Sequence, residues 1–296
     1  RSELVSTRVD DYLLVGAGGG SQYGTAYVGD AAHDFSDKTV YLTADLDMGG
    51  SSNWTPIGGL YPMDRDNTER VIVAYFNGTL DGQGHRITNL FCDRYAEKGY
   101  AYSQGVGLIG HMGDLYDGEA APETAPAVRN LSVSGSIYGR RMVGGIVGRV
   151  GDTSNGVIIE NCGNRADVRN TDSKGVGGIV GACQDTASSL TGCVNYGAIA
   201  ADGSSAGAGG IAGRMNGSMT RCANYGTVTG KVWYLGGLAG SCNTDKGGVI
   251  TGCTAGESGG GVACLFGKVT VNGCAVYDNT AAKSADDVYN NGSGST

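Results

Sequence analysis

The sequence is short of the residues on which much enzyme chemistry rests. Its three histidines, His33, His85 and His111, stand far apart and none belongs to an H-E-x-x-H pair, which excludes a zinc-protease helix of that type. Nine cysteines contain no C-x-x-C, so the common zinc and dithiol motifs are missing, and neither a metal nor a cofactor is expected. Prolines number four, and no run approaches the roughly 18 apolar residues of a membrane span. Basic charge is scarce too: 21 Lys and Arg against 29 Asp and Glu give a net charge of −8, whereas a nucleic-acid partner calls for a clustered basic face. No stretch carries the 3.6-residue period of an amphipathic helix.

What the chain has in excess is glycine, 55 of 296 residues, or roughly 19 per cent against about 7 per cent on average, with no collagen period. Much of it lies in a phrase that returns: GGIVGRV from Gly144, GGIVGAC from Gly177, GGIAGRM from Gly209 and GGLAGSC from Gly236. The last glycine of each phrase marks a register at Gly148, Gly181, Gly213 and Gly240, with outlying copies at Gly110 and, in degenerate form, Gly267. Recurrence at a near-fixed spacing is the signature of a repeat architecture. The position two before the mark reads Leu108, Ile146, Ile179, Ile211, Leu238 and Leu265; two after, it reads Met112, Val150, Cys183, Met215, Cys242 and Val269. Between them stand His111, Arg149, Ala182, Arg214, Ser241 and Lys268, so apolar and mostly polar positions alternate as in a strand with one buried face.

A second phrase precedes each glycine phrase, and its key position is Leu90, Leu131, Cys162, Cys193, Cys222, Cys253 and Cys274, an inward column of Leu or Cys. A third column, Ile137, Val168, Ile199 and Val228, follows six residues later. Asn164, Asn195 and Asn224 fall two places after the Cys column, where stacked amides are placed to satisfy turn backbone. The expected fold is all-β: a right-handed parallel β-helix, a solenoid with three short strands per turn and an N-terminal cap. Cysteines stacked in register point their Cβ atoms the same way, which disfavours a disulfide and predicts reduced, buried thiols. The expected organisation is a cap and lead-in over residues 1–50, first turns with a long insertion over 51–127, regular coil over 128–280 and a polar tail over 281–296. The chain opens on Arg1 and reads as a piece of a processed or longer protein, so the missing leader argues for no compartment.

The segment FNGTLDGQGHRITNL from Phe76, followed by GVGLIG and the repeated GGIVG phrases, resembles the GLUG-repeat β-helix proteins of bacterial cell surfaces. DKTVYLTADLDMGGSSNWTPIG from Asp37 is similar to the lead-in of those proteins. The resemblance covers roughly residues 35–275 and implies a secreted or wall-attached bacterial protein, often part of a modular, adhesin-like chain. Such repeats also accompany the catalytic domain of immunoglobulin A protease relatives, but the missing zinc motif keeps that activity from being carried over.

Several motifs are decoys. GAGGGS from Gly16 lacks a following helix and reads as a turn rather than a dinucleotide loop. Asp45 and Asp47 open like a calcium loop without its later ligands, and Asn77 and Asn216 fit glycosylation acceptors. The cationic column of His111, Arg149, Arg214 and Lys268 has no acidic partner at equivalent positions and reads as solvated charge. Carboxylates gather instead with tyrosines in the insertion, and the candidate ligand-binding residues are Tyr95, Tyr100, Tyr102, Tyr116, Asp114 and Asp117, with Glu119 and Glu123 nearby. Tyr196, Tyr225 and Tyr277, with Arg165 in the same register, form a second aromatic set on one outer edge. The functional expectation is a non-enzymatic surface module that binds a glycan or a host surface protein. The alternatives are a polysaccharide lyase or glycosidase using an outer face, and a structural spacer.

Overall fold

A computed structural model describes residues 7–9, 34–62, 71–95, 105–114, 120–151, 155–172, 174–203, 207–232, 234–256, 260–264, 266–276 and 288–290. The described residues form β-strands and connections with no helix, and no sheet closes into a barrel. Three sheets of nine, eleven and ten strands account for all but a two-stranded antiparallel hairpin, Gly59–Pro62 with Val71–Ala74. Within the three sheets every pairing is parallel except that of Thr7–Val9 with Thr39–Leu42, at one edge of the first sheet.

The chain visits the sheets in a fixed order. Ile158–Glu160 lies in the first, Gly163–Asn164 and Asp167–Asn170 in the second, Val176–Gly177 and Val180–Cys183 in the third, and Ser189–Thr191 returns to the first. Each strand pairs with its counterpart one repeat away, so like residues meet in register. In the third sheet Ile109, Val147, Val180, Ala212 and Ala239 align, each one residue before its register glycine. In the second sheet Cys92, Ile137, Val168, Ile199 and Val228 align as a buried column.

One column is added to the sequence expectations and two placements are corrected. A further inward column, Val40, Leu80, Val128, Ile159, Leu190, Met219 and Ile250, lines the first sheet, three places before the Cys column in the regular turns. Leu90 leaves the Leu/Cys column, because Ser132 pairs with Arg86 and so sets Leu131 level with His85, while Leu90 lies opposite Gly135. The last glycine mark is also displaced: Gly236 pairs with Gly260, whereas Gly267 belongs to the first sheet opposite Thr244. In the last copy the glycine pair is thus Gly260 and Gly261, and not the positions of Ala263 and Cys264 that counting back from Gly267 gives.

The Leu/Cys column sits at the corner between the first and second sheets. Cys162, Cys193 and Cys222 each aim their Sγ at two carbonyls, one from the same turn and one from the turn before, at 3.3–3.7 Å. A small apolar side chain with a weak donor suits that corner better than leucine does. The eight cysteines whose side chains are described are all free thiols. Burial raises the Cys183 thiol to about 11. The adjoining Cys193 thiol, helped by burial, holds Cys222 at about 12. A bulky reagent reaches only thiols open to solvent, so an aromatic disulfide at pH 8 is expected to label the half-exposed Cys274 and spare the buried Cys162, Cys193, Cys222 and Cys253 until the chain unfolds. Mass mapping of the labelled peptides checks this, and rapid native labelling of Cys193 would contradict it.

The residue before this column takes a left-handed φ in successive turns: Asn130 57°, Asn161 52°, Gly192 64°, Arg221 51°, Gly252 60° and Gly273 58°. Glycine and asparagine accept that conformation; arginine does so at a cost. Arg221→Gly is therefore expected to stabilise the chain by about 0.5–1 kcal/mol, after the extra entropy glycine loses on folding. A urea midpoint that falls instead would mean that the Arg221 stem, with Cγ 3.9 Å from an ideal Cβ on Gly252, contributes more by packing.

Candidate functional site

The outward face of the second sheet is built by the alternation of its strands. In Asp167–Asn170, Val168 and Asn170 are buried while Asp167 and Arg169 are exposed. Just before that strand lies the asparagine ladder. Asn164 Nδ2 donates to Asn195 Oδ1 at 2.7 Å, and Asn195 Nδ2 donates to Asn224 Oδ1 at 2.8 Å. Each amide also closes its own turn by bonding the backbone two residues on. With the asparagines fixed inward, the next residues face out: Arg165, Tyr196 and Tyr225, one above another.

These side chains form a contiguous row. The rings of Tyr196 and Tyr225 stack with centroids 5.4 Å apart, and the Arg165 guanidinium lies 4.1 Å over the Tyr196 ring. Both tyrosines remain about half exposed. A second row borders the other side of the face. Tyr95 stacks on Tyr138 at 4.9 Å, and Arg169 lies 5.3 Å over Tyr138 with its Nε donating to Asp202 Oδ2 at 2.6 Å. Desolvation raises the Tyr138 hydroxyl above its ordinary value, against the opposing charge of Arg169. Beside Tyr95, Arg140, Thr171 and Asp172 line an open depression of about 540 Å³.

The residues anticipated in the insertion take separate places. Tyr95 belongs to this face, while Tyr100, Tyr102, Tyr116 and Asp117 lie outside the described residues, as do Glu119 and Tyr277. Asp114 follows the third-sheet strand Ile109–Met112, where its Oδ2 meets His111 Nε2 and lies 3.4 Å from Arg149 Nη2. The cationic column therefore does have an acidic partner, supplied from three residues downstream of His111 and not from an equivalent position. Nor is that column solvated throughout: His111 is 2 % exposed, with the Tyr75 ring edge-on at 4.8 Å. Burial lowers the His111 pKa, and Asp114 opposes the shift. Tyr138 and Arg169 were not anticipated. Their signal was available, since each follows a residue of the third column, Ile137 or Val168, by one place.

GAGGGS from Gly16 lies outside the described residues, and the other decoys resolve into structural roles. Asn77 and Asn216 are buried and their amides hydrogen-bonded, so neither side chain is open to glycosylation in the folded chain. Asp45 Oδ1 accepts from the Arg86 backbone and contacts His85, and Asp47 Oδ1 accepts from Asn89 and Gly49. Those bonds, the Arg86 amide foremost for Asp45 and the Asn89 amide for Asp47, lower both carboxyl pKa values. Among the described residues no three His, Cys, Asp or Glu side chains converge as metal ligands would. No helix among them is long and apolar enough to cross a membrane.

No family model matches the chain. Halomucin of Haloquadratum walsbyi is 31 % identical over 129 residues, 38 % of this chain and 1 % of that protein. A "Putative Gly-rich membrane protein" of Evansella cellulosilytica is 32 % identical over 132 residues, 45 % of this chain and 12 % of that protein. The chain thus spans only a small part of either relative's length. A crystal structure of a "putative immunoglobulin A1 protease" from Bacteroides ovatus shares the fold, with a TM-score of 0.54 at 22 % identity over 88 % of this chain and 79 % of that one.

Proposed function

We propose that the three parallel sheets are the faces of a right-handed β-helix, and that this helix is a GLUG-type module of a secreted or surface-attached bacterial protein that works by adhesion to a glycan or a host surface protein, not by catalysis. Supporting the architecture are the fixed order in which the chain visits the sheets and the fold shared with the Bacteroides ovatus protein. Residues 1–50 would cap it, with Thr7–Val9 running antiparallel along the edge strand Thr39–Leu42 and so shielding the edge from a second chain. Residues 51–127 would make the first turns, 128–280 the regular coil and 281–296 a linker.

The observation that carries the adhesive reading is the pair of exposed tyrosine rows on one rigid face, since ring faces held in place by stacking and by arginine are ready to meet a ligand without reordering. A glycan array probed with the purified chain, alongside a reducing-end assay on mixed polysaccharides, tests it. Saturable binding without new reducing ends, weakened by Tyr196→Ala, is the expected result. Release of reducing ends would overturn it in favour of a carbohydrate-active enzyme, for which Asp114 beside His111 and Arg149 is a described grouping of carboxylate, base and cation. Neither binding nor release would leave a spacer.

A further inference from the structure

We infer that the outward face of the second sheet binds an extended acidic glycan, whose carboxylates are held by Arg140 and Arg165 and whose sugar rings lie against the exposed tyrosines. The inference rests on the adhesive reading above and assigns its ligand class and its place.

Several arginines are already occupied by carboxylates. Arg129 pairs with Asp81, Arg141 with Asp172, Arg149 with Asp114 and Arg169 with Asp202. Among the described residues, Arg140 and Arg165, like Arg86 and Arg221, form neither an ion pair nor a side-chain hydrogen bond, and of these four Arg165 lies over Tyr196 and Arg140 shares a depression with Tyr95. In a chain with eight more acidic than basic residues, a cation left without a carboxylate beside an exposed ring is a specific arrangement. Arg165 uses only the face of its guanidinium on Tyr196, so the N–H groups around its edge stay free to donate. Arg140 is half-buried in the wall of the depression that Tyr95 borders, where the planar fork suits a carboxylate in two-point contact.

Spacing sets the size of the ligand. The parallel register places Ser136 opposite Asp167 and Tyr138 opposite Arg169, so Arg165 is level with Ser134, six residues from Arg140 along the strand direction. At about 3.3 Å per residue of extended strand this separation is at most roughly 20 Å, shortened by the turn from Asn164 to Ala166, a reach that suits an extended oligosaccharide. The floor between them carries small or acidic outward residues, Ser136, Asp167 and Ala198, which leave room for rings and present hydroxyl partners. Tyr95 with Tyr138, and Tyr196 with Tyr225, stand at the two sides as stacking platforms.

Calorimetric titration of the whole chain tests this with an oligogalacturonate and a hyaluronan oligosaccharide, each also supplied with its carboxyls reduced to alcohols. The acidic forms are expected to bind and the reduced forms to bind about tenfold less tightly, as do Arg140→Gln and Arg165→Gln with the acidic forms, the effect of losing one charged hydrogen-bonding pair. Urea midpoints equal to the parent's would confirm that both variants fold. Equal affinity for acidic and reduced chains would overturn the acidic assignment and leave glycan adhesion standing. Undiminished acidic binding by both variants would overturn the location. Silence toward every acidic and neutral glycan would remove the glycan reading itself.

Discussion

Asn195→Ala is expected to destabilise the protein by about 3–5 kcal/mol, although it touches no surface residue and removes only an amide. Asn195 is fully buried and makes four hydrogen bonds: to Gly197 O at 2.9 Å, from Gly197 N at 3.2 Å, to Asn224 Oδ1 at 2.8 Å and from Asn164 Nδ2 at 2.7 Å. Alanine leaves the Gly197 N–H and C=O without these bonds inside a buried turn, each at a cost of about 1–3 kcal/mol, and breaks the ladder on both sides. Asn195→Asp adds a test with a sign. Its buried carboxylate would face Asn224 Oδ1 with no proton to donate, so its folded pKa would stand above the unfolded value. That variant's deficit should shrink as pH falls through this raised folded pKa, where the side chain takes up a proton, and should level off below the unfolded value of about 4. Urea melts at neutral and acid pH measure both. A loss below about 1 kcal/mol for Asn195→Ala would mean that water replaces the amide and the ladder is not a structural spine.

Gly178→Ala should cost about 3 kcal/mol, near the upper end for overpacking, and the reason explains the repeated glycine pair. A Cβ on Gly178 would stand 2.3 Å from Asn195 Cγ and 2.3 Å from Gly210 O. The equivalent glycines meet the same obstacle: Gly145 against Asn164 and Gly210 against Asn224. The second glycine of the phrase therefore exists because the asparagine ladder and the next turn's backbone occupy the space of its side chain. Its conformation is not the cause, since its φ lies outside the left-handed region. The double variant Asn195→Ala with Gly178→Ala should lose less than the sum of the single losses, because removing the amide removes one of the two clashes. Strict additivity in thermal or urea unfolding would show that the Gly210 carbonyl alone sets the cost.

Some of this was legible in the sequence and some was not, for definite reasons. Columns whose residue type barely changes could be read directly: the glycine phrase, the Cys column, and the Ile137, Val168, Ile199 and Val228 column that the parallel register bears out. The first-sheet column was missed because Leu80, Val128, Ile159, Leu190 and Met219 vary in shape and carry no punctuating glycine. Leu90 misled because Asn89-Leu90 and Asn130-Leu131 share the same two letters, while the pairing of Ser132 with Arg86, which only the neighbouring strand reveals, sets Leu131 level with His85. On the candidate face, Tyr196, Tyr225 and Arg165 were legible as a periodic set. The partnership of Tyr95 with Tyr138 was not, because it joins residues that hold different positions in the repeat.

By itself, the sequence determined that the chain repeats, that its strands are short, and which side chains face inward together in the columns whose residue type barely changes, because only there does position in the repeat show in the letters. The tertiary structure decided what those columns do to one another. Whether the glycine pair served turn conformation or close packing depended on where the asparagine amides of the neighbouring sheet lie. Whether Asp114 served a binding loop or the His111 and Arg149 column depended on how the chain leaves the strand Ile109–Met112. Both are contacts between residues remote in sequence or set by a turn's path, and pairwise distance of that kind is not written in periodicity.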